Sequence, residues 1–153
     1  MPQELKNLSP EEQHSMLEAI PLITILVAGA DGKIDQEELA QGEKITKIRS
    51  YDYHAQLKPY FKKVGETYSE RLQQLIAELP SDTAARQDEI SKRLSQLNTI
   101  LPKLDAGYAK LFYESLLTFA KHVAKASGGI LGMMTINAKE HQLIRLSMLD
   151  PIE

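Results

Sequence analysis

Apolar residues recur at spacings of three and four along most of the chain, and no stretch alternates convincingly with period two, so the pattern predicts an all-α fold. Ser9-Pro10-Glu11-Glu12 opens the first helix, with Ser9 as N-cap, Pro10 in the first turn and Glu12 completing a capping box. Met16, Leu17, Ile20, Ile23, Leu26 and Val27 follow at helical spacing. Pro21 falls inside this run, and its missing N–H predicts a break or kink near Ile20. Ala30-Asp31-Gly32-Lys33 reads as a turn, after which Asp35 and Glu38 look like a second capping box opening a helix to about Arg49.

The middle of the chain carries two longer stripes. Leu57, Tyr60, Phe61, Val64, Tyr68, Leu72, Leu75, Ile76 and Leu79 form the first, and Ile90, Leu94, Leu97, Leu101 and Leu104 the second, joined by the turn Pro80-Ser81-Asp82. They predict an antiparallel helical hairpin over about residues 55–104, each arm about 30 Å long, with both stripes needing burial and hence folded back on the body. After Pro102 and Gly107, Tyr108, Leu111, Phe112, Leu116, Phe119 and Val123 line one face of a further helix. Ser127-Gly128-Gly129 ends it, and a last helix, capped by Asn137 with Glu140, is expected to run through Leu143, Ile144 and Leu146 to Pro151.

A short internal repeat organises these elements. Val27-Ala28-Gly29-Ala30-Asp31-Gly32 aligns with Val123-Ala124-Lys125-Ala126-Ser127-Gly128, and Ile34 with Glu38 aligns with Ile136 and Glu140 once six extra residues are allowed in the second loop. The expected architecture is one domain over residues 1–153: two pseudo-repeated helix–loop–helix units, about 10–49 and 105–149, with the long hairpin inserted between them. The second loop holds three glycines beside Ile130, Leu131, Met133 and Met134, apolar groups suited to plugging a groove or meeting a partner.

Composition narrows the function. The 153 residues carry a net charge of −3 at a pI near 5.8, which disfavours a dedicated nucleic-acid binder. Residues 1–42 hold eight carboxylates against Lys6 and Lys33, a net of −6, leaving +3 for the remainder. Such an acidic head steers cations or basic partners toward itself, or is simply a solvated face. Having no cysteine removes disulfide, thiolate-metal and thiol-nucleophile chemistry. The near-apolar run Ala19–Ala30 is too short to span a bilayer, and no signal peptide is visible, so a cytoplasmic location is expected.

The stretch Ala30 to Glu38 carries the chemistry. Laid on an EF-hand loop, Asp31, Gly32, Ile34, Asp35 and Glu38 take the fifth, sixth, eighth, ninth and twelfth positions. Val27 and Gly29 would then hold the first and third ligand positions, and neither has a side-chain oxygen, so a regular EF-hand is not expected. A helix ending in Ala-x-Ala-Asp-Gly, then Lys-Ile and Glu38, resembles the TerB-like family of tellurite-resistance proteins. That resemblance covers the first unit well and the second weakly. It implies an all-helical domain with two pseudo-symmetric halves, a bacterial stress-response or tellurite-resistance setting, and a weak divalent-cation site, for calcium or magnesium, formed by Asp31, Asp35, Glu38 and Glu140. Ser127 and Asn137 stand where carboxylates would complete the second half, and residues 51–104 make a larger middle than the compact family domain has. The other reading of the same residues is structural: Gly32 as a positive-φ residue at a helix end, and Asp35 with Glu38 as caps, in a protein–protein interaction module.

No serine elbow, paired-acid cleft or nucleotide fingerprint is present, and the second loop lacks the lysine and hydroxyl of a P-loop. The expectation is a non-enzymatic binding domain whose partner is another protein, with no integral membrane segment. A metal-dependent hydrolase would need His14 or His141 to converge on the acidic loop. His122 is expected to be a partly buried packing residue, and Tyr51-Asp52-Tyr53-His54 a polar cluster or a helix-boundary turn.

Overall fold

The structure, a computed structural model, describes residues 1–128 and 138–153, with side chains given for 1–126 and 141–153. Its elements are helical and no strand occurs among the described residues. Helix α1 (Pro10–Ala28) starts at the expected capping box: Ser9 Oγ accepts from the Glu12 N–H at 3.1 Å, and Glu12 Oε1 accepts from the Ser9 N–H at 2.9 Å. It is followed by α2 (Gln36–Arg49), α3 (Lys58–Gly65), α4 (Tyr68–Glu78), α5 (Thr83–Ser95), α6 (Leu97–Ile100), α7 (Ala106–Gly128) and α8 (Ala138–Leu143). All seven later helices touch α1, which is therefore the hub of the bundle.

Helix α1 runs unbroken through Pro21, correcting the expected break. A proline inside a helix costs about 3 kcal/mol. Against that, Ile20, Leu22, Ile23, Ile25, Leu26 and Val27 are each at most 2 % exposed, and each such side chain contributes about 1.5–3 kcal/mol on burial. Burial on all sides outweighs the proline. The neighbouring Ile20 carbonyl also accepts the Thr24 hydroxyl at 2.9 Å.

The two stripes of the middle segment are both buried, but the arms differ from the expected hairpin. The first arm is interrupted at Glu66-Thr67, where turn bonds from Glu66 N–H to the Lys63 carbonyl and from Thr67 N–H to the Val64 carbonyl replace the helical ladder. Eleven residues of α4 reach only about 16 Å. The cause is tertiary, because α3, α4, α5 and α6 all lie against α1 and the chain bends to follow it. The bend delivers two phenols to α1: Tyr60 Oη donates to the Met16 carbonyl at 2.5 Å, and Tyr68 Oη donates to Thr24 Oγ1 at 2.9 Å. Around Tyr60 the rings of Phe61 and Phe112 pack edge to face, 5.2 and 5.0 Å between centroids.

Helix α2 approaches α1 closely because position 42 is glycine. A Cβ there would lie 2.6 Å from Tyr68 Oη and 2.7 Å from Thr24 Cγ2. At its C-terminus, buried Arg49 crosses to α7, donating to the Ser115 carbonyl at 3.0 Å and to Thr118 Oγ1 at 3.1 Å, with its guanidinium 4.3 Å from the Tyr53 ring centre. The turn Tyr51–His54 is thus a helix boundary under a cation–π contact, with Tyr51 itself 66 % exposed. His122, expected to be partly buried packing, is exposed on α7.

Helix α7 spans the predicted segment and starts where Asp105 Oδ2 accepts from the Tyr108 N–H at 3.0 Å. The last helix is shorter than expected and ends at Leu143. Leu146 takes a left-handed φ of 48° so that it and Leu149 both bury, and Asn98 holds this tail from both sides. Its Nδ2 donates to the Met148 carbonyl at 2.9 Å and its Oδ1 accepts from the Asp150 N–H at 2.8 Å. The second loop of the expected repeat, with its glycines, Ile130, Leu131, Met133, Met134 and Asn137, lies outside the described residues. No described helix is long and apolar enough to cross a membrane.

Two outcomes follow from this packing. Gly42→Ala is expected to lose about 1–3 kcal/mol through overpacking, whereas Gly65→Ala, at the last residue of α3 and with a Cβ that meets nothing closer than 3.9 Å, stays within about 0.5 kcal/mol of the parent; urea unfolding of the two variants measures both. Burial also raises the phenol pKa of Tyr60, Tyr68 and Tyr108 above the ordinary value. The fold favours the neutral phenols, so the unfolded chain releases those protons first and stability falls as pH climbs above about 10. Ultraviolet titration of tyrosinate, run beside circular dichroism, should show these three rings ionising only as the helices melt.

Candidate functional site

The acidic loop is built by the end of α1. The Gly29 N–H still reaches the Ile25 carbonyl at 2.9 Å, and the Ala30 N–H turns to Val27 at 3.2 Å. Gly32 then takes φ +103°, which L side chains rarely adopt, while its N–H donates to the Gly29 carbonyl at 3.1 Å. The Asp35 N–H returns to the Ala28 carbonyl at 2.9 Å, closing the loop on the helix it left.

This closure decides what the carboxylates do. Asp35 Oδ1 accepts from the Glu38 N–H at 3.0 Å and caps α2. Its own N–H is taken by Ala28, so the reciprocal arm of a capping box, as made by Ser9 and Glu12, is replaced by a tie to α1. Glu38 is fully buried, Asp35 half-buried, and Asp31 exposed together with Lys33 and Glu37. The side chain of Glu140 lies outside the described residues, as does its counterpart loop. Among the described residues no three His, Asp or Glu side chains gather as a group able to hold a metal ion. His14 sits fifteen residues before Gly29, about 22 Å along α1, with its Nε2 3.5 Å from Glu18 Oε1, so it does not converge on the loop. His141 is exposed on α8.

Two residues that periodicity passes over hold the loop from outside. Arg86 on α5 is 5 % exposed, and it donates through Nη2 to the Gly29 carbonyl at 3.1 Å and through Nη1 to the Ser81 carbonyl at 3.3 Å. Gln87 Nε2 donates to the Ala30 carbonyl at 3.2 Å. Arginine ordinarily reads as surface. The available clue was its place in the first turn of α5, where the helix dipole disfavours a cation and a specific acceptor is needed.

Farther back along α1, a cleft of about 370 Å³ opens between α1, α4 and α5. On its floor Glu18, 7 % exposed, receives a two-pronged bond from Arg71: Nε to Oε2 at 2.7 Å and Nη2 to Oε1 at 2.8 Å. Those bonds raise the Arg71 pKa further. His14 to Glu18 was a legible i,i+4 pair, but nothing in the sequence pointed from Glu18 to a residue on α4.

No family model matches the chain, and neither a curated protein nor a solved structure matches it.

Arg86→Met keeps the stem and removes the donors. It is expected to cost about 1–3 kcal/mol by leaving the Gly29 and Ser81 carbonyls without them, while Asp31→Asn stays within about 0.5 kcal/mol of the parent; chemical denaturation of both variants checks the contrast.

Proposed function

We propose that this chain is a non-enzymatic binding domain of TerB-like kind, acting on another protein, in which the acidic motif serves as a joint between α1 and α2. The observation that carries this reading is the direction of Asp35. Its carboxylate faces the Glu38 N–H, and the loop carbonyls beside it are held by Arg86 and Gln87. A hard cation such as calcium needs six to eight oxygens converging on one point. Here the loop's carbonyl oxygens at 29 and 30 are turned toward α5, and Asp31 stands in solvent. What remains on the outside is charge: Asp31 and Glu37, two of the eight carboxylates of residues 1–42, stay exposed beside Lys33, a surface suited to a basic partner. The tellurite-resistance or stress setting implied by the resemblance belongs to the same proposal.

The test is a titration of metal-stripped protein with calcium, magnesium, manganese and zinc, followed by calorimetry and melting temperature. The expected result is no saturable binding, with Asp35→Ala less stable by about 1 kcal/mol whatever metal is present, as for a lost N-cap. A metal at a hundred times its dissociation constant would stabilise by about 2.7 kcal/mol. Saturable binding that disappears in an Asp31→Asn/Glu38→Gln variant would overturn the joint reading and make the loop a cation site.

A further inference from the structure

We infer that the cleft between α1, α4 and α5 is a binding site for a small oxyanion, a carboxylate or phosphate group carried by a small molecule. The inference is independent of the acidic loop and goes beyond the proposed interaction role. Its volume, about 370 Å³, lies within the range of small-molecule sites. Its floor is an ion pair between the buried carboxylate of Glu18 and the partly exposed guanidinium of Arg71, and a pair so placed contributes little to stability. It does fix charge and geometry at the base of an opening.

The walls carry donors in excess of acceptors. Arg93 spends only Nε, on Glu89 at 2.8 Å, and its two Nη groups make no hydrogen bond or ion pair among the described residues. Lys92 Nζ likewise makes none among them. The Gln96 amide accepts from Ser15 Oγ at 3.4 Å, which leaves its Nε2 to donate. The two carboxylates that line the cleft, Glu18 and Glu89, are each matched by an arginine, with Arg71 also meeting Glu78 at 3.5 Å, and Lys92 adds an ammonium at the opening. A guanidinium fork beside an ammonium suits a planar carboxylate or a phosphate, whose oxygens accept and never donate once ionised. A cationic or purely apolar ligand would leave those donors unmatched.

The experiment uses the whole chain and two probes, inorganic phosphate and citrate, each titrated by calorimetry and by NMR shift at ionic strength matched with sodium chloride. Saturable binding of at least one probe is expected, weakened tenfold or more in Lys92→Gln/Arg93→Gln and unchanged in Lys121→Gln, an exposed site on α7. Preference for phosphate assigns a phosphate ester, and preference for citrate a carboxylate. The melting temperature without probe reports whether the double variant is folded, and Lys92→Gln alone serves if it is not. Probes that bind no better than chloride, or bind parent and variants alike, overturn the site.

Discussion

From Glu18 to Ala28 helix α1 is buried on all sides and has no water to satisfy its polar groups, so those without a partner inside the helix must find one on a neighbouring element. This constraint arranges the rest of the molecule. From α3 comes the Tyr60 hydroxyl to the Met16 carbonyl, and from α4 the Tyr68 hydroxyl to Thr24 and the Arg71 fork to Glu18. From α5 come Arg86 and Gln87 to the carbonyls of Gly29 and Ala30. Each of these donors sits on an element that also contributes apolar side chains to the same interface. The polar bonds therefore fix the register of packing whose driving force is the burial of Ile20, Ile23, Leu26 and their neighbours.

The same constraint explains where sequence reading succeeded. Both helix starts at Ser9 and Asp35 were legible because a cap is settled by residues within three positions of one another. Gly32 was legible for a similar reason, since its positive φ is a local requirement. The all-helical class and both buried stripes of the middle segment followed from period alone.

What was not legible depended on contacts between distant residues. Pro21 argued for a break, and only the helices packed around it keep α1 whole. Val64 to Tyr68 looked like continuous helix, but bending there is what lets Tyr60 and Tyr68 reach α1 together. The tail after Leu143 kept an apolar pattern, yet Leu146 and Leu149 bury through a left-handed turn clasped by Asn98, forty-five or more positions away. Arg86 and Arg71 are the sharpest cases. A buried arginine has the same letter as a solvated one, and its partner lies on a helix that the local pattern does not connect to it.

The acidic loop and the polar cleft are two stretches of one seam, the contact of α5 with α1, and they solve opposite problems. At the loop, the donors on α5 are matched by backbone carbonyls, so binding capacity there has been converted into rigidity. At the cleft, four residues or more farther along α5, Lys92 and Arg93 face an opening in which the carboxylates already have partners. The sequence motif that most resembled a ligand site is thus the better satisfied of the two. The residues with donors to spare form no motif, because they come from three helices and meet only once α4 and α5 have closed on α1. A motif marks where neighbouring residues in the chain cooperate, and in a bundle held by a central helix much of that local cooperation goes into ending one helix and starting the next.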